Sequence, residues 1–200
     1  MDATHLGCFD IPLISNIPNI VYLSPTCKEE YLKMLDFAVE QTSYPVVIRV
    51  PFGEVVSSGK EDSTDYSILN KFETVANGQE VAIIGVGNFF HLGKKVKAEL
   101  SQKLGINATL INPKFLTGLD EELLNGLKQN HKLVITLEDG CLEGGFGEKV
   151  SRFYGNSEMK VLNFGGKKEF TDRMSLEEIY ERYHLTPELI VQDVQNCLKG

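Results

Sequence analysis

The sequence predicts an α/β fold in which a doubly wound, mostly parallel sheet follows a partial α/β domain. Apolar runs typical of buried strands alternate with segments of helical periodicity along most of the 200 residues. In the second half this alternation repeats four times, which is enough to cover both faces of a parallel sheet with helices. In the first part it supplies only two strands, so that part is predicted to be incomplete.

The first region, residues 1–56, is interpreted as the end of a domain whose beginning is missing. A strand at 20–23 is followed by Thr26, the predicted cap of a helix through CKEEYLKMLDFAVEQ, and by a second strand, VVIRVP. Two parallel strands with one crossover helix cannot cover both faces of a sheet. Met1 is accordingly expected to be an internal methionine of a longer protein.

The segment 57–78 is predicted to be an exposed linker, because SSGKEDSTDYS is polar and lacks periodicity. The second region, 79–200, then begins with the strand VAIIGVG and a helix around 94–103. Its remaining elements alternate in the same way: ATLINPKF, LDEELLNGLKQN, KLVITLED, a glycine-rich turn with a helix into Phe153, KVLNFGG, SLEEIYERYHL and TPELIVQDVQNCLK.

Composition excludes several classes of function. A net charge of -8 argues against a nucleic-acid or anionic-membrane surface, because both require basic patches. No apolar run approaches the length of a membrane span, and the first residues lack the basic region of a signal peptide. The scattered cysteines, Cys8, Cys27, Cys141 and Cys197, predict reduced thiols and a cytoplasmic protein.

Arg49 is the most informative candidate for a binding site. It interrupts the apolar run VVIRV at the carboxyl end of its strand, where open α/β sheets bind ligands. A buried guanidinium requires an anionic partner, and arginine matches phosphate or carboxylate with a planar pair of donors. A ligand anion and a structural ion pair both satisfy this requirement.

The amino-terminal stretch MDATHLG supplies a second candidate. Asp2 and His5 are close enough to meet on a turn, and His5 could donate to a substrate oxygen or transfer a proton. A solvated chain terminus is the alternative.

Two glycine-containing loops are further candidates. GVGNFF follows a strand as a phosphate-binding loop does, but Phe90 replaces the third glycine, which favours a tight turn. EDGCLEGGFGEKV either passes close to a partner subunit or frees the backbone for a turn, and Glu138 and Asp139 before it are candidates for an interface or polar site.

Several of these pieces, in the same order, resemble the 1-deoxy-D-xylulose-5-phosphate synthase family. DATHLGCFD, ISNIPN, YLSPT and IRVPFG resemble the closing half of its pyrimidine-binding domain. The remainder, through ITLEDGCLEGGFGEKV, resembles the carboxyl-terminal domain that the family shares with transketolase.

The resemblance implies a thiamine diphosphate-dependent transfer from pyruvate to glyceraldehyde 3-phosphate, which releases carbon dioxide. It places the family's acceptor-binding residues on Arg49, for the phosphate, on His5, as the catalytic and substrate-binding histidine, and on Asp2. The family commonly has a second basic residue soon after this arginine, where the chain has Phe52. A homodimer is also implied.

The resemblance further implies that the chain alone is inactive. The family holds Mg²⁺ and the cofactor diphosphate through a GDG motif, which this sequence lacks, and its activating glutamate precedes the histidine motif. Thiamine diphosphate and Mg²⁺ are therefore expected in the complete enzyme and not on this chain alone. The alternatives are a short non-catalytic subunit and a phosphate- or nucleotide-binding module that uses GVGNFF.

Overall fold

The computed structural model describes residues 7–50, 56–171 and 174–200. Its helices and strands follow in chain order: α1 (Asp10–Ile14), β1 (Val21–Leu23), α2 (Lys28–Glu40), β2 (Val46–Ile48), β3 (Glu73–Ala76), β4 (Glu80–Gly85), α3 (Phe89–Leu104), β5 (Thr109–Asn112), α4 (Glu121–Leu127), β6 (His131–Cys141), α5 (Phe146–Tyr154), β7 (Lys160–Gly166), α6 (Leu176–Arg182) and α7 (Pro187–Lys199).

The main sheet has five strands in the order β3-β5-β4-β6-β7. The pairs β4–β5, β4–β6 and β6–β7 are parallel, whereas β3 is antiparallel to β5 at one edge. Ile83 of the central strand lies between Leu110 and Ile135, and all three side chains are buried. The predicted doubly wound, mostly parallel sheet is confirmed.

Helices cover the main sheet on both faces, as its parallel connections require. Alternate residues of β4 point to opposite faces, so Val81 and Ile83 pack with α3 and α7, while Ala82 and Ile84 pack with α4 and α5. Ile11 of α1 and Tyr22 of β1 join the second of these cores. The first region of the chain therefore shares a hydrophobic core with the main sheet.

The first region forms a separate two-stranded parallel sheet, β1–β2, with α2 as its crossover helix. Its other side bonds to the segment that follows β5: the Ser24 amide donates to the Lys114 carbonyl at 2.8 Å, and the Leu116 amide donates to the Tyr22 carbonyl at 2.8 Å. The two predicted strands and their helix are present, joined to the rest of the protein by backbone hydrogen bonds.

The interpretation of 57–78 as an exposed linker is wrong from Tyr66 to Ala76. Tyr66 and Phe72 are buried there, and β3 forms the edge of the main sheet. Two large aromatic side chains gain more from burial than the surrounding polar residues lose, because most of those residues remain at the surface and the buried Asp62 carboxylate is paired with Lys114. The sheet thus begins before residue 79.

Two helices also differ from the predictions. The short α1 was not predicted, and α3 begins at Phe89 rather than near Lys94 because both of its first residues, Phe89 and Phe90, pack on the sheet. No helix within the described ranges combines the length and the apolar character that crossing a membrane requires.

Candidate functional site

Arg49 lies one residue beyond β2, at the junction of the two sheets. Its backbone amide donates to the Leu23 carbonyl at 2.8 Å, which continues the β1–β2 pairing and directs the side chain towards the main sheet. The guanidinium is 11% exposed, with Nε 2.6 Å from Asp10 Oδ2 and Nη1 2.5 Å from Asp139 Oδ1. We refer to Asp10, Arg49 and Asp139 as the junction triad.

Two secondary-structure elements present the carboxylates of the junction triad. Asp10 is the first residue of α1, where the positive end of the helix dipole stabilises an acidic side chain, and it also accepts a hydrogen bond from the Tyr22 hydroxyl at 2.7 Å. Asp139 lies near the carboxyl end of β6, the longest strand. The triad therefore connects α1, the end of β2 and the main sheet.

The electrostatics of the junction triad oppose an additional anion. Burial lowers the pKa of Arg49, but Asp139 and Asp10 outweigh this effect and raise it above its ordinary value. Desolvation, followed by the hydrogen bond to Asp10, raises the pKa of Tyr22, so its phenol stays neutral. One guanidinium thus faces two carboxylates, and the excess charge is negative.

The structural ion pair, one of the two alternatives for Arg49, is present. Two further acceptors lie within reach of Arg49 Nη2. They are Oδ1, the other oxygen of the Asp10 carboxylate, at 3.3 Å, and the Gly7 carbonyl at 3.2 Å. Carboxylates of the same chain therefore already neutralise the guanidinium, without a ligand. Direct contact between Arg49 and an acceptor phosphate stays a prediction.

His5 and Asp2, the other predicted site residues, lie outside the described residues. The chain just after them is anchored at two points. Gly7 accepts a hydrogen bond from Arg49, and the Cys8 carbonyl accepts one from the Cys141 amide at 2.6 Å. The structure thus shows where the chain that carries His5 joins the fold.

Glu138, proposed from sequence for an interface or a polar site, fixes the start of α5. Its fully buried carboxylate accepts hydrogen bonds from the amides of Phe146 at 2.9 Å and Gly147 at 2.8 Å. Burial raises the pKa of Glu138 to about 7, although both amide donors act to lower it. The group therefore titrates near neutral pH.

The glycine-rich turn allows α5 to approach β6 closely. A Cβ on Gly145 would lie 2.6 Å from Glu138 Oε2, and a Cβ on Gly147 would lie 2.6 Å from Thr136 Oγ1. Both distances are shorter than any ordinary contact, so larger residues would displace the helix. Of the two interpretations of EDGCLEGGFGEKV, the turn accounts for these contacts.

GVGNFF forms a tight turn in which the amides of its two phenylalanines and of the following His91 are already in use. Phe89, Phe90 and His91 donate their backbone N–H groups to the carbonyls of residues 86, 87 and 88. Gly87 has a φ of +51°, and a Cβ there would lie 2.6 Å from Ser24 Oγ. Because a phosphate-binding loop needs free amides at the helix start, the phosphate-cradle interpretation is not supported by this geometry.

Sequence reasoning missed a second buried charge cluster, centred on Lys114. Its side chain is 2% exposed, with Nζ 3.1 Å from Asp62 and 2.9 Å from Glu73, while Glu30 lies at 3.7 Å. The only sequence signal is a lysine two residues beyond the end of β5. The cluster borders a cavity of about 410 Å³ that Cys27 and His91 also line.

The described residues do not fit the Mg²⁺–diphosphate site that the sequence resemblance implies for a complete enzyme. Across 7–50, 56–171 and 174–200, no three His, Cys, Asp or Glu side chains are grouped so that they could hold a metal ion. His91 bonds to the Thr26 carbonyl, and His184 pairs with Asp193. All four cysteines are free thiols.

Comparison with known protein families shows where the chain belongs. A model described as "Transketolase, C-terminal domain" matches residues 70–190, which is more than half of the chain. The chain belongs to the transketolase C-terminal domain family. The match begins just before β3, so this domain includes the antiparallel edge strand.

Curated relatives of this transketolase-family chain extend the similarity to the first region. The 1-deoxy-D-xylulose-5-phosphate synthase of Clostridium tetani is 34% identical over 98% of the chain, and that of Lachnoclostridium phytofermentans is 32% identical over 96%. The chain spans only 31% of the length of each of these relatives.

A solved structure shows the same fold. "Split gene transketolase, inactive beta4 tetramer" superposes with a TM-score of 0.80, covers 98% of this chain and 64% of its own, and is 22% identical. At that identity the likeness establishes the fold alone, so the two sheets and their connection are an arrangement that the transketolase fold already contains.

Proposed function

We propose that this chain is the carboxyl-terminal portion of a thiamine diphosphate-dependent 1-deoxy-D-xylulose-5-phosphate synthase. The reaction breaks the bond between the carboxyl and keto carbons of pyruvate, releases carbon dioxide, and joins the remaining two-carbon unit to the aldehyde carbon of glyceraldehyde 3-phosphate. The observation that carries the proposal is the 34% identity to a synthase across 98% of the chain. This similarity includes the first region as well as the shared carboxyl-terminal domain.

The residues proposed for the acceptor substrate are His5, as the catalytic and binding histidine, with Arg49 and Asp2. The contacts of Arg49 favour an indirect role at this site: it holds Gly7 and Asp10, which lie two and five residues after His5 in the chain. A direct contact with the substrate phosphate would require one of its carboxylate partners to move. We therefore propose that Arg49 acts first as a positioning residue.

The complete enzyme is proposed to bind thiamine diphosphate and Mg²⁺ through segments other than the described residues, and to act as a homodimer in the cytoplasm. Its partners are then small molecules, pyruvate and glyceraldehyde 3-phosphate, with neither nucleic acid nor membrane involved. The chain alone is expected to be inactive, because it supplies about a third of the length of its relatives.

A chimeric enzyme tests this proposal. The part of the Clostridium tetani synthase that precedes the matching region is produced either fused to this chain or as a separate polypeptide mixed with it. Carbon dioxide release from pyruvate is measured with and without glyceraldehyde 3-phosphate. We expect release that depends on both substrates in at least one format, and none from the chain alone. A folded chimera that binds thiamine diphosphate but produces no 1-deoxyxylulose 5-phosphate would refute the proposal.

The role of His5 can be separated within the same chimera. His5→Ala should raise the KM for glyceraldehyde 3-phosphate roughly tenfold or more while changing the KM for pyruvate little, because a lost charge-assisted hydrogen bond costs about 1.5–3 kcal/mol. His184→Ala is the matched control, since His184 is half exposed and pairs only with Asp193. If both variants have the same KM for glyceraldehyde 3-phosphate, His5 does not bind the acceptor substrate.

A further inference from the structure

The carboxyl end of β6 departs from regular pairing with β7 where it meets the first region of the chain. The two strands pair in register up to Leu137, and the pairing resumes only at Cys141, after a shift. Such an irregularity redirects side chains and backbone groups of a strand, and it commonly lies beside a functional site. Asp139 and Gly140 lie within it and are therefore available for contacts outside the sheet.

The backbone of this part of β6 holds the segment that leads into α1. The Cys141 amide donates to the Cys8 carbonyl at 2.6 Å. A Cβ on Gly140 would lie 3.4 Å from Ile11 Cδ1 and 3.5 Å from the Cys8 carbonyl oxygen, which are ordinary contact distances. Ile11 is fully buried, so it packs directly over the backbone of the strand. The start of α1 is thus fixed against the end of β6.

The glycine-rich turn after β6 and the segment after β7 extend this contact. Gly144 has a φ of +74°, and a Cβ there would lie 3.2 Å from Pro12 Cβ, which is tighter than an ordinary contact. The rings of Phe9 and Phe170 meet edge to face, with their centroids 5.9 Å apart. Residues 139–144, which we call the β6 seat, therefore contact α1 and the residues before it at several points.

Asp139 supplies the charged contact of the β6 seat. Its Oδ1 lies 2.5 Å from Arg49 Nη1, and the same guanidinium donates from Nε to Asp10 Oδ2 at 2.6 Å. Hydrogen bonds between charged groups are roughly twice as strong as neutral ones, and water screens this one little because Arg49 is 11% exposed. Without Asp139, Arg49 and Asp10 would remain paired with each other but would lose their charged link to the main sheet.

We propose that Asp139 is a positioning residue for the acceptor substrate and acts through Arg49. The inference rests on the function proposed above, in which His5 binds glyceraldehyde 3-phosphate. Because only five residues of chain separate His5 from Asp10, the place where Asp10 is fixed limits where the histidine can lie. The carboxyl-terminal domain thus sets the affinity for the acceptor through the β6 seat, without contacting the substrate.

The fused chimera provides the kinetic test. Asp139→Ala should raise the KM for glyceraldehyde 3-phosphate roughly tenfold, since misplacing a binding group by about 1 Å can cost up to about 100-fold. The KM for pyruvate should change little, which a general loss of structure would not produce.

Three further variants sharpen the kinetic test. Asp139→Asn keeps a neutral acceptor for Arg49, so its KM for glyceraldehyde 3-phosphate should lie between those of Asp139→Ala and the wild type. The double variant Arg49→Met/Asp139→Ala should have no higher KM than Arg49→Met, because Asp139 acts through the arginine. Asp193→Ala, which breaks the distant pair with His184, is the matched control and should behave as the wild type does.

Amide hydrogen exchange of the 200-residue chain tests the same link without catalysis. Asp139→Ala should speed exchange several-fold in peptides that cover α1, whereas Asp193→Ala should not. Unchanged exchange in α1 would overturn the proposal, as would an active chimera in which Asp139→Ala and Asp193→Ala have the same KM for the acceptor. If the wild-type chimera makes no product, faster exchange in Asp139→Ala would still support the positioning of α1 by Asp139, and only the synthase function would be refuted.

Discussion

Replacing Arg49 by methionine should destabilise the protein without any substrate being present. The substitution keeps the apolar stem but leaves Asp10 and Asp139 facing each other without a cation. Removing one partner of a fully buried ion pair costs about 3–5 kcal/mol. Both carboxylates are 24% exposed, so water can solvate them in part, and we expect a loss of about 2–3 kcal/mol in the free energy of unfolding.

Urea denaturation followed by circular dichroism measures this loss, and a fall of roughly 5–10 °C in Tm should accompany it for a chain of this size. The triple variant Asp10→Asn/Arg49→Met/Asp139→Asn should recover part of the stability, because no unpaired carboxylate remains. Arg182→Met is the matched control: its ion pair with Glu169 is largely exposed, so its loss should cost less than about 1 kcal/mol.

Two outcomes would contradict this reasoning. If Arg49→Met lowers stability no more than Arg182→Met does, the junction triad does not neutralise the guanidinium in solution. If the triple variant is less stable than Arg49→Met, the carboxylates themselves contribute through contacts other than the arginine. The first result would favour a ligand anion as the partner of Arg49, and the second would show that contacts such as the Tyr22–Asp10 hydrogen bond carry part of the stability.

Three further predictions concern buried groups. The pKa of Glu138 is raised from 4.5 to about 7 in the fold, so its stabilising contribution is present below pH 4.5 and is lost as the pH rises through 7. In urea denaturation, the wild type should therefore lose up to about 3 kcal/mol of unfolding free energy over that pH range relative to Glu138→Gln. A difference between the two proteins that stays constant with pH would be inconsistent with the shift. Lys114→Met should lower the free energy of unfolding by about 3 kcal/mol or more, because it leaves three acidic side chains without their cation, and a Tm equal to that of the wild type would contradict this expectation. Gly87→Ala should lower the Tm, because Gly87 has a positive φ and an added Cβ would collide with Ser24. Gly126→Ala on α4 is the control: its Cβ would meet no neighbouring atom, so the Tm should stay unchanged or rise. The reverse order of Tm values would refute this account of the turn.

The order of strands and helices could be predicted from the sequence because it depends on local periodicity. The alternation from β4 to α7 was confirmed, as were the two strands and the helix of the first region. Prediction failed where burial depended on single residues: Tyr66 and Phe72 are the only large aromatics in a polar segment, and their burial depends on surfaces supplied by Phe115 and Phe146, far along the chain.

The candidate site could be located from sequence only in part. Arg49 stood out because a charge interrupted an apolar strand, and this reasoning correctly required an anionic partner. The identity of that partner could not be obtained, since Asp139 lies 90 residues away and meets Arg49 only after the two sheets join. The same limit applies to Lys114, whose partners come from α2, β3 and the segment around residue 62.

The hydrogen bonds between β1 and the segment after β5 have a consequence for how the polypeptide comes apart. Residues 56–61 are exposed, and Lys60 offers trypsin a cleavage point there. Severing that connection would leave Tyr22 and Ser24 still bonded to Leu116 and Lys114. A nicked molecule would therefore migrate as one particle on a sizing column and separate into two pieces only in denaturant, so covalent continuity through 56–61 is not what keeps the small sheet in place.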